Sequence, residues 1–274
     1  MNGFCYIDNH DIFSYFGVII AEIGYNNFLT FPPMAEPDKN DWAEHNGVEV
    51  DLSVPRLQPR EISVPFARIG GGFAFFGFWG LVSAPGYRTI SIPPLGRSWN
   101  VRVTQMPTLE TYHGADVFNI RFIEDAPIIP TGYPMANADI GFPCAVSLDG
   151  KTLDRYGIII TGGLDEIERA PSLKQMLTRS NSRISGQIYD VDFVRFAEKE
   201  ITLGCCLTAP RIEVFWNLYD AFFGDLLKPS ERVIRYKNQN YTAYYRRSSN
   251  FQLHSHTGEV VCEFDITMVI TSEI

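Results

Sequence analysis

His254-Ser255-His256 sets two imidazoles at i and i+2, a spacing that on a β-strand turns both rings to one face and offers a metal ion two ligands. The pair stands ahead of Thr257-Gly258, which reads as a hairpin turn, so exposed turn histidines are the simpler reading. His10-Asp11 and His45 are isolated and read the same way. Gly70-Gly71-Gly72 precedes an apolar segment, as a phosphate-cradling loop precedes a helix. It lacks the Gly-Lys-Ser/Thr ending of a P-loop and the spacing of a dinucleotide fingerprint, and it reads as a flexible joint. No Gly-x-Ser-x-Gly elbow presents a serine nucleophile. The five cysteines, Cys5, Cys144, Cys205, Cys206 and Cys262, are an odd number without a Cys-x-x-Cys pair. That argues against a zinc site or a disulfide framework and for buried thiols. These residues predict no catalytic group, no metal and no cofactor, hence a protein that is not an enzyme.

What the chain does contain is a repeat. Ile12-Phe13-Ser14-Tyr15-Phe16-Gly17-Val18-Ile19-Ile20 returns as Thr152-Leu153-Asp154-Arg155-Tyr156-Gly157-Ile158-Ile159-Ile160, at an offset of 140 residues (152 − 12). Each copy reads as a compact apolar strand with one Gly in its middle. Upstream, Tyr6 to Asp11 and Val146 to Lys151 each read as a strand and a polar turn. Downstream, Arg60-Glu61-Ile62-Ser63-Val64 is matched by Lys199-Glu200-Ile201-Thr202-Leu203 at an offset of 139 (200 − 61). A unit of roughly this size is a domain, not a solenoid repeat. The predicted organisation is a first domain over 1–125, a linker over 126–142 carrying Pro127, Pro130 and Pro134, and a second, similar domain over 143–274.

The elements that hold the repeat follow in the same order in both copies. Ala21 to His45, with Pro32, Pro33 and Pro37, and its counterpart Thr161 to Ser185, with Pro171, cannot run as continuous strands or helices. They read as two long arms, built to contact neighbours, with a helical possibility at Ser172 to Leu177. Val48, Val50 and Leu52, then Ile62, Val64 and Phe66, alternate with polar residues as half-buried strands do. Ile188 to Phe196 and Ile201 to Leu207 repeat that pattern. A helix is predicted over Ile212 to Leu227, between Pro210 and Pro229, and a weaker one over Gly72 to Val82, diluted by Gly77 and Gly80. Two or three strands close each unit. The fold class is mainly β with one helix per unit, two tandem β-sandwiches or barrels.

Composition bounds the partners. The chain of 274 residues has 45% hydrophobic and 20% charged residues, and no apolar run long enough to span a bilayer. Its beginning lacks the basic flank and apolar core of a signal peptide, which predicts residence in a cytoplasm. A net charge of −9 argues against general affinity for phosphate backbones.

The pieces in this order resemble the tail-tube and distal-tail (baseplate hub) proteins of long-tailed bacteriophages and related prophage or injection machines. The resemblance rests on Tyr15-Phe16-Gly17-Val18 followed by an arm, on Val48-Glu49-Val50-Asp51, on Gln58-Pro59-Arg60-Glu61-Ile62-Ser63-Val64-Pro65-Phe66 leading to a helix, and on Tyr241-Thr242-Ala243-Tyr244-Tyr245. It implies tail-tube-like domains and a virion structural protein that forms a ring joining tail tube to tail tip and lines a DNA channel. It also implies assembly in the bacterial host cytoplasm, other tail and baseplate proteins as partners, DNA only in passage and no membrane. A typical distal-tail protein pairs one ring domain with a lectin-like domain, whereas here both halves look alike. Hub components with two tube-like domains per chain form trimers that mimic six-fold symmetry, so a hexamer and a trimer both remain open.

The residues expected at inter-subunit contacts are Pro32, Pro33, Asp38 and Lys39 on the first arm, and Arg60, Glu61, Lys199 and Glu200 as ion pairs. Deleting Pro32 to Asn40 is then expected to leave a folded monomer that forms no ring. The alternative function is a carbohydrate- or cell-surface-binding β-sandwich module, suggested by 14% aromatic residues and by Trp42, Trp99 and Tyr133 as surface aromatics.

Overall fold

The structure, a computed structural model, describes residues 2–21, 24–69, 75–105, 110–112, 115–138, 141–175, 178–183, 185–189, 194–256 and 258–273. The first unit comprises β1 (Tyr6–Ile7), β2 (His10–Asp11), α1 (Ile12–Phe16), β3 (Val18–Ile20), α2 (Asn26–Leu29), β4 (Arg60–Ile69), α3 (Phe75–Ser83), β5 (Arg88–Ile92), β6 (Arg97–Gln105) and β7 (Ala115–Glu124). Its strands lie in the order β2-β1-β5-β6-β7-β4-β3, with a short strand Glu110–Tyr112 added on β7. The second unit comprises β8 (Val146–Leu148), β9 (Lys151–Thr152), β10 (Ile158–Gly162), α4 (Leu164–Glu168), β11 (Lys199–Ala209), α5 (Ile212–Leu226), β12 (Arg232–Tyr236), β13 (Gln239–Ser255) and β14 (Val260–Glu273). Its order is β9-β8-β12-β13-β14-β11-β10. The second order is the first with every strand advanced by one unit, so the sequence repeat is a repeat of topology. The paired strands are antiparallel, and the fold is mainly β.

Local chemistry explains why the two copies take the same path. Asp8 and Asn9 have φ of 48° and 65°, and Asp149 and Gly150 have φ of 48° and 79°. Positive φ at both central residues is the two-residue hairpin turn whose twist matches its flanking strands. Each turn aspartate then bonds across to an arginine, Asp8 to Arg88 at 2.7 Å and Asp149 to Arg232 at 2.6 Å. The same carboxylates accept the backbone N–H of Thr89 and Val233.

The signature segments are not single strands. Ile12–Phe16 is a short α-helix and Leu153–Tyr156 a 3₁₀ turn, and the residues after the glycine enter the sheet, as Thr152 does ahead of the 3₁₀ turn. Asp11 caps the first by accepting from Phe13 and Ser14 N–H groups. Gly17 and Gly157 close them at φ of 68° and 71°, left-handed conformations that suit glycine. Each glycine carbonyl then accepts a sheet N–H, from Ile69 and from Thr208. A nine-residue run carries no period long enough to separate the two readings; in the first copy the Asp11 cap favours the helical half, while the second has no side-chain cap.

The predicted long helix is α5, ending one residue short of Leu227, and the weaker one is α3. The predicted glycine joint at Gly70 to Gly72 lies outside the described residues. The segment from Ser172 is not helical in its described part: Leu173 bridges to Phe196 in an extended pairing. Along β11 every second residue is buried, as a half-covered strand requires. The buried apolar residues of both sheets form one continuous cluster, running from Ile62, Phe66 and Phe118 through Phe28, Trp99 and Trp216 to Phe223 and Phe264.

Candidate interaction surfaces

The arms repeat residue for residue. Met34 bridges to Leu57 and Leu173 to Phe196, both at an offset of 139 (173 − 34 and 196 − 57). Ala35 N–H bonds to Arg56 and Gln58 N–H to Pro33, and Lys174 bonds to Arg195 and Ala197 to Ser172 in the same register. Beyond these bridges each arm ends in a two-stranded ribbon, Lys39–Asn40 with Glu49–Val50 and Thr178–Arg179 with Ile188–Tyr189, again in step.

A cation sits at the root of each arm. Arg60 Nη1 donates to the carbonyls of Phe28 and Thr30, and Lys199 Nζ to those of Ile167 and Arg169 at 2.7 and 2.6 Å. These carbonyls end α2 and α4, where unsatisfied C=O groups and the helix dipole both favour positive charge. Arg60 also pairs with Glu124 at 2.6 Å. In the second copy Ile270 stands opposite Lys199 where Glu124 stands opposite Arg60. Both cations are buried, Arg60 at 7% and Lys199 at 5% exposure, and both hold the arm of their own unit. Glu200 pairs with Arg246 and Arg247 of its own chain, and Glu61 is exposed.

The first arm lies on the second unit. Phe31 stacks on Phe223 of α5, centroids 4.2 Å apart and planes within 7°. Tyr219 donates to the carbonyl of Leu29 at 2.6 Å, Tyr245 to that of Pro32 at 3.0 Å, and Met34 N–H to the carbonyl of Arg246 at 2.9 Å. Beside this seat Trp216 donates to the Leu95 carbonyl, and Arg97 both pairs with Asp220 and lies 3.8 Å from the centre of the Trp216 ring. Pro32 and Met34 are therefore part of the core, and deleting Pro32 to Asn40 would open it instead of freeing a folded monomer. Pro33 is half-buried in the arm, while Asp38 and Lys39 lie exposed at its ribbon, with Lys39 reaching Glu198 at 2.8 Å.

The linker covers a further side of α5. Tyr133 lies against Gly224 so closely that a Cβ there would come within 2.1 Å of its ring. Its hydroxyl donates to Asp225 at 2.8 Å, and Tyr156, Lys151 and Lys228 bond the same carboxylate at 2.5, 2.8 and 2.6 Å. Burial alone would raise the Asp225 carboxyl; the bonds from Lys151, Lys228, Tyr156 and Tyr133 hold it well below the usual carboxylate range. Burial and the same carboxylate push the Tyr156 and Tyr133 hydroxyls up.

A cavity of about 290 Å³ lies between the units, lined by Trp99, Trp216, Tyr219 and the Arg60–Glu124 and Arg97–Asp220 pairs. Its charges are neutralised in pairs and neither His254 nor His256 reaches it. His254 instead stands 3.3 Å from Glu263 on the neighbouring strand. Among the described residues no group of three or more His, Cys, Asp or Glu side chains could hold a metal ion, and no helix is long and apolar enough to cross a membrane. All five cysteines are free thiols; Cys5, Cys205 and Cys262 are buried, and burial pushes the Cys5 thiol up to about 12.

No protein-family model and no curated protein matches the chain. Among solved structures it is similar to the SPP1 Dit (gp 19.1) protein, described as a paradigm of the hub adsorption apparatus in phages that infect Gram-positive hosts. That match has 10% identity and a TM-score of 0.34, and covers 99% of this chain and 98% of that one.

Of the aromatics read as surface residues, Trp42 is exposed, with its indole N–H on Glu49, whereas Trp99 is buried between the units and Tyr133 half-buried under α5. Trp99 packs on Phe28 of its own unit and on Trp216 of the other, and Tyr133 is covered by α5. The residues that sequence reasoning missed are the ones that join the units, Phe31, Trp216, Tyr219 and Phe223. A signal was present: α5 is apolar around most of its circumference, which marks a helix covered on more than its own sheet's side.

Proposed function

We propose that this chain is a non-enzymatic structural component of a bacteriophage or prophage tail, a ring-forming tube or distal-tail hub protein that joins the tail tube to the tip. The observation that carries the proposal is the seat of the first arm on the second unit. Two copies of one β-unit meet arm to helix, head to tail, and a head-to-tail contact generates a ring when its rotation closes. The sequence resemblance to tail-tube and distal-tail proteins supports the same reading. The two domains are residues 1–125 and 143–274, joined by 126–142.

The exposed positions Asp38, Lys39 and Glu61, with Glu200 beside them in the second copy, are the inter-subunit contact residues of this proposal. Other tail and baseplate proteins stack on the ring, and DNA passes without being bound. A net charge of −9 suits that passage, since a basic wall would hold phosphate and stall it.

Light scattering with negative-stain imaging of the same sample tests the proposal. Closed rings of about 93 kDa (3 × 31.0) or about 186 kDa (6 × 31.0) are the expected result. Assemblies without closure would overturn it.

A further inference from the structure

The two units share a fold and differ in what covers them. Aromatic contacts fix the register of their helices: Phe78 meets Phe16 and Phe118 as Phe222 meets Tyr156 and Phe264, and Trp79 meets Phe118 as Phe223 meets Phe264. The offset is 144 (222 − 78), the same as that between Arg88 and Arg232. Phe76 is thus the counterpart of Asp220, Trp79 of Phe223 and Gly80 of Gly224. On α5 all three positions are covered, by Arg97, Phe31 and Tyr133. On α3, Phe76 is 89% exposed and a Cβ on Gly80 would meet nothing within 4 Å.

The arms show the reciprocal imbalance. Leu29, Phe31, Pro32 and Met34 are buried, whereas their counterparts Glu168, Ala170 and Leu173 are exposed and Pro171 is half-buried. Leu173 is 53% exposed where Met34 is 7%. The first arm brings Phe31 to Phe223, one turn from Asp220, and the second arm offers Ala170 and the exposed Leu173 to the corresponding place on α3, where Trp79 stands one turn from the exposed Phe76.

We propose that the second arm, around Leu173, seats on the α3 face around Phe76 of a second copy of this chain, repeating between chains the contact that the first arm makes on α5 within one. Such a contact is heterologous: every chain offers one arm and one helix, and chains add head to tail. Burying Phe76 and Leu173 removes two exposed apolar side chains from water, and the backbone pairing within the arm is already formed, which lowers the cost of ordering on contact. The proposal deepens the ring reading but rests on the two arms, and its test separates the two.

Phe76→Glu removes the helix site and leaves the arm; Leu173→Glu does the reverse. Both positions are exposed, so each variant is expected to melt within a few degrees of the parent chain. Sedimentation of the full chain should show self-association that either substitution weakens at least tenfold. An equimolar mixture of the two variants should restore a dimer of two 31.0-kDa chains and nothing larger, because one intact arm then meets one intact helix. A parent chain that stays monomeric at every concentration, assemblies unchanged by both substitutions, or folded variants whose mixture yields no dimer would each overturn the contact; so would seating of a different tail protein on Phe76 that leaves self-association intact. Mixed dimers from variants whose parent forms only open chains would support the contact and sink the ring, and closed rings unaffected by either variant would do the opposite.

Discussion

α3 and α5 are the same helix in two settings. Each sits between the same two strands of its sheet and turns the same aromatics inward, Phe78 and Trp79 in one and Phe222 and Phe223 in the other. α5 is then enclosed by an arm, a hairpin loop and a linker, while α3 keeps one face open. The difference teaches that the β-unit alone does not bury its helix. A neighbouring unit has to finish the core, and in the second copy the first copy is that neighbour.

The largest test of this comparison is at the arm anchor. Phe31→Ala should cost about 3–5 kcal/mol in urea unfolding, the usual penalty for emptying a buried phenylalanine site, and should separate the unfolding of the two units. Leu173→Ala on the second arm, at the counterpart of the buried Met34, should stay within about 0.5 kcal/mol in the monomer. Equal losses would mean that the arms are not differently engaged.

Next come the cations at the arm roots. Arg60→Met strands two carbonyls and the half-buried Glu124 carboxylate, and should cost about 3 kcal/mol. Lys199→Met strands the carbonyls of Ile167 and Arg169 and should cost about 1–2 kcal/mol by the same chemical denaturation. A larger loss at Lys199 would break the assignment of Glu124 as the extra partner.

Acid should act on the enclosed helix first. Asp225 is held below its ordinary value in the fold, so its stabilisation is fully present above the unfolded carboxylate value near ~3.9 and is lost as pH falls toward the lower folded one. Urea midpoints taken from about pH 5 down to about pH 3 should fall for the parent chain and fall less steeply for Asp225→Asn, which starts lower.

The smallest effects have opposite signs at one position. Gly224→Ala drives a methyl group into Tyr133 and should cost about 1–3 kcal/mol. Gly80→Ala, in open space on a helix, should gain up to about 1 kcal/mol. Thermal melts of the pair would sharpen the comparison most cheaply.

The sequence revealed the duplication because the arms keep one register: nothing is inserted between Met34 and Arg60 relative to Leu173 and Lys199, so the offset of 139 survives a stretch with little regular structure. It also singled out Arg60 and Lys199 as equivalent, though their partners, helix-end carbonyls some thirty residues upstream, leave no local pattern. The strand reading of Ile12 to Ile20 failed because a cap at Asp11 and a left-handed glycine decide that segment, and neither changes its hydrophobic pattern. The enclosure of Trp99 and Tyr133 was illegible for another reason. Periodicity reports the face an element turns to its own sheet; it does not reveal Trp216 beside Trp99 or α5 over Tyr133, which come from the second unit.

The linker has a kinetic meaning as well as a structural one. Because it ties the first unit to the second, docking of the first arm on α5 is a first-order event, met at an effective concentration on the order of millimolar whatever the dilution. Dilution can therefore never separate the two units; it acts only on contacts between chains. Each newly made polypeptide leaves the ribosome with the contact between its two units already guaranteed.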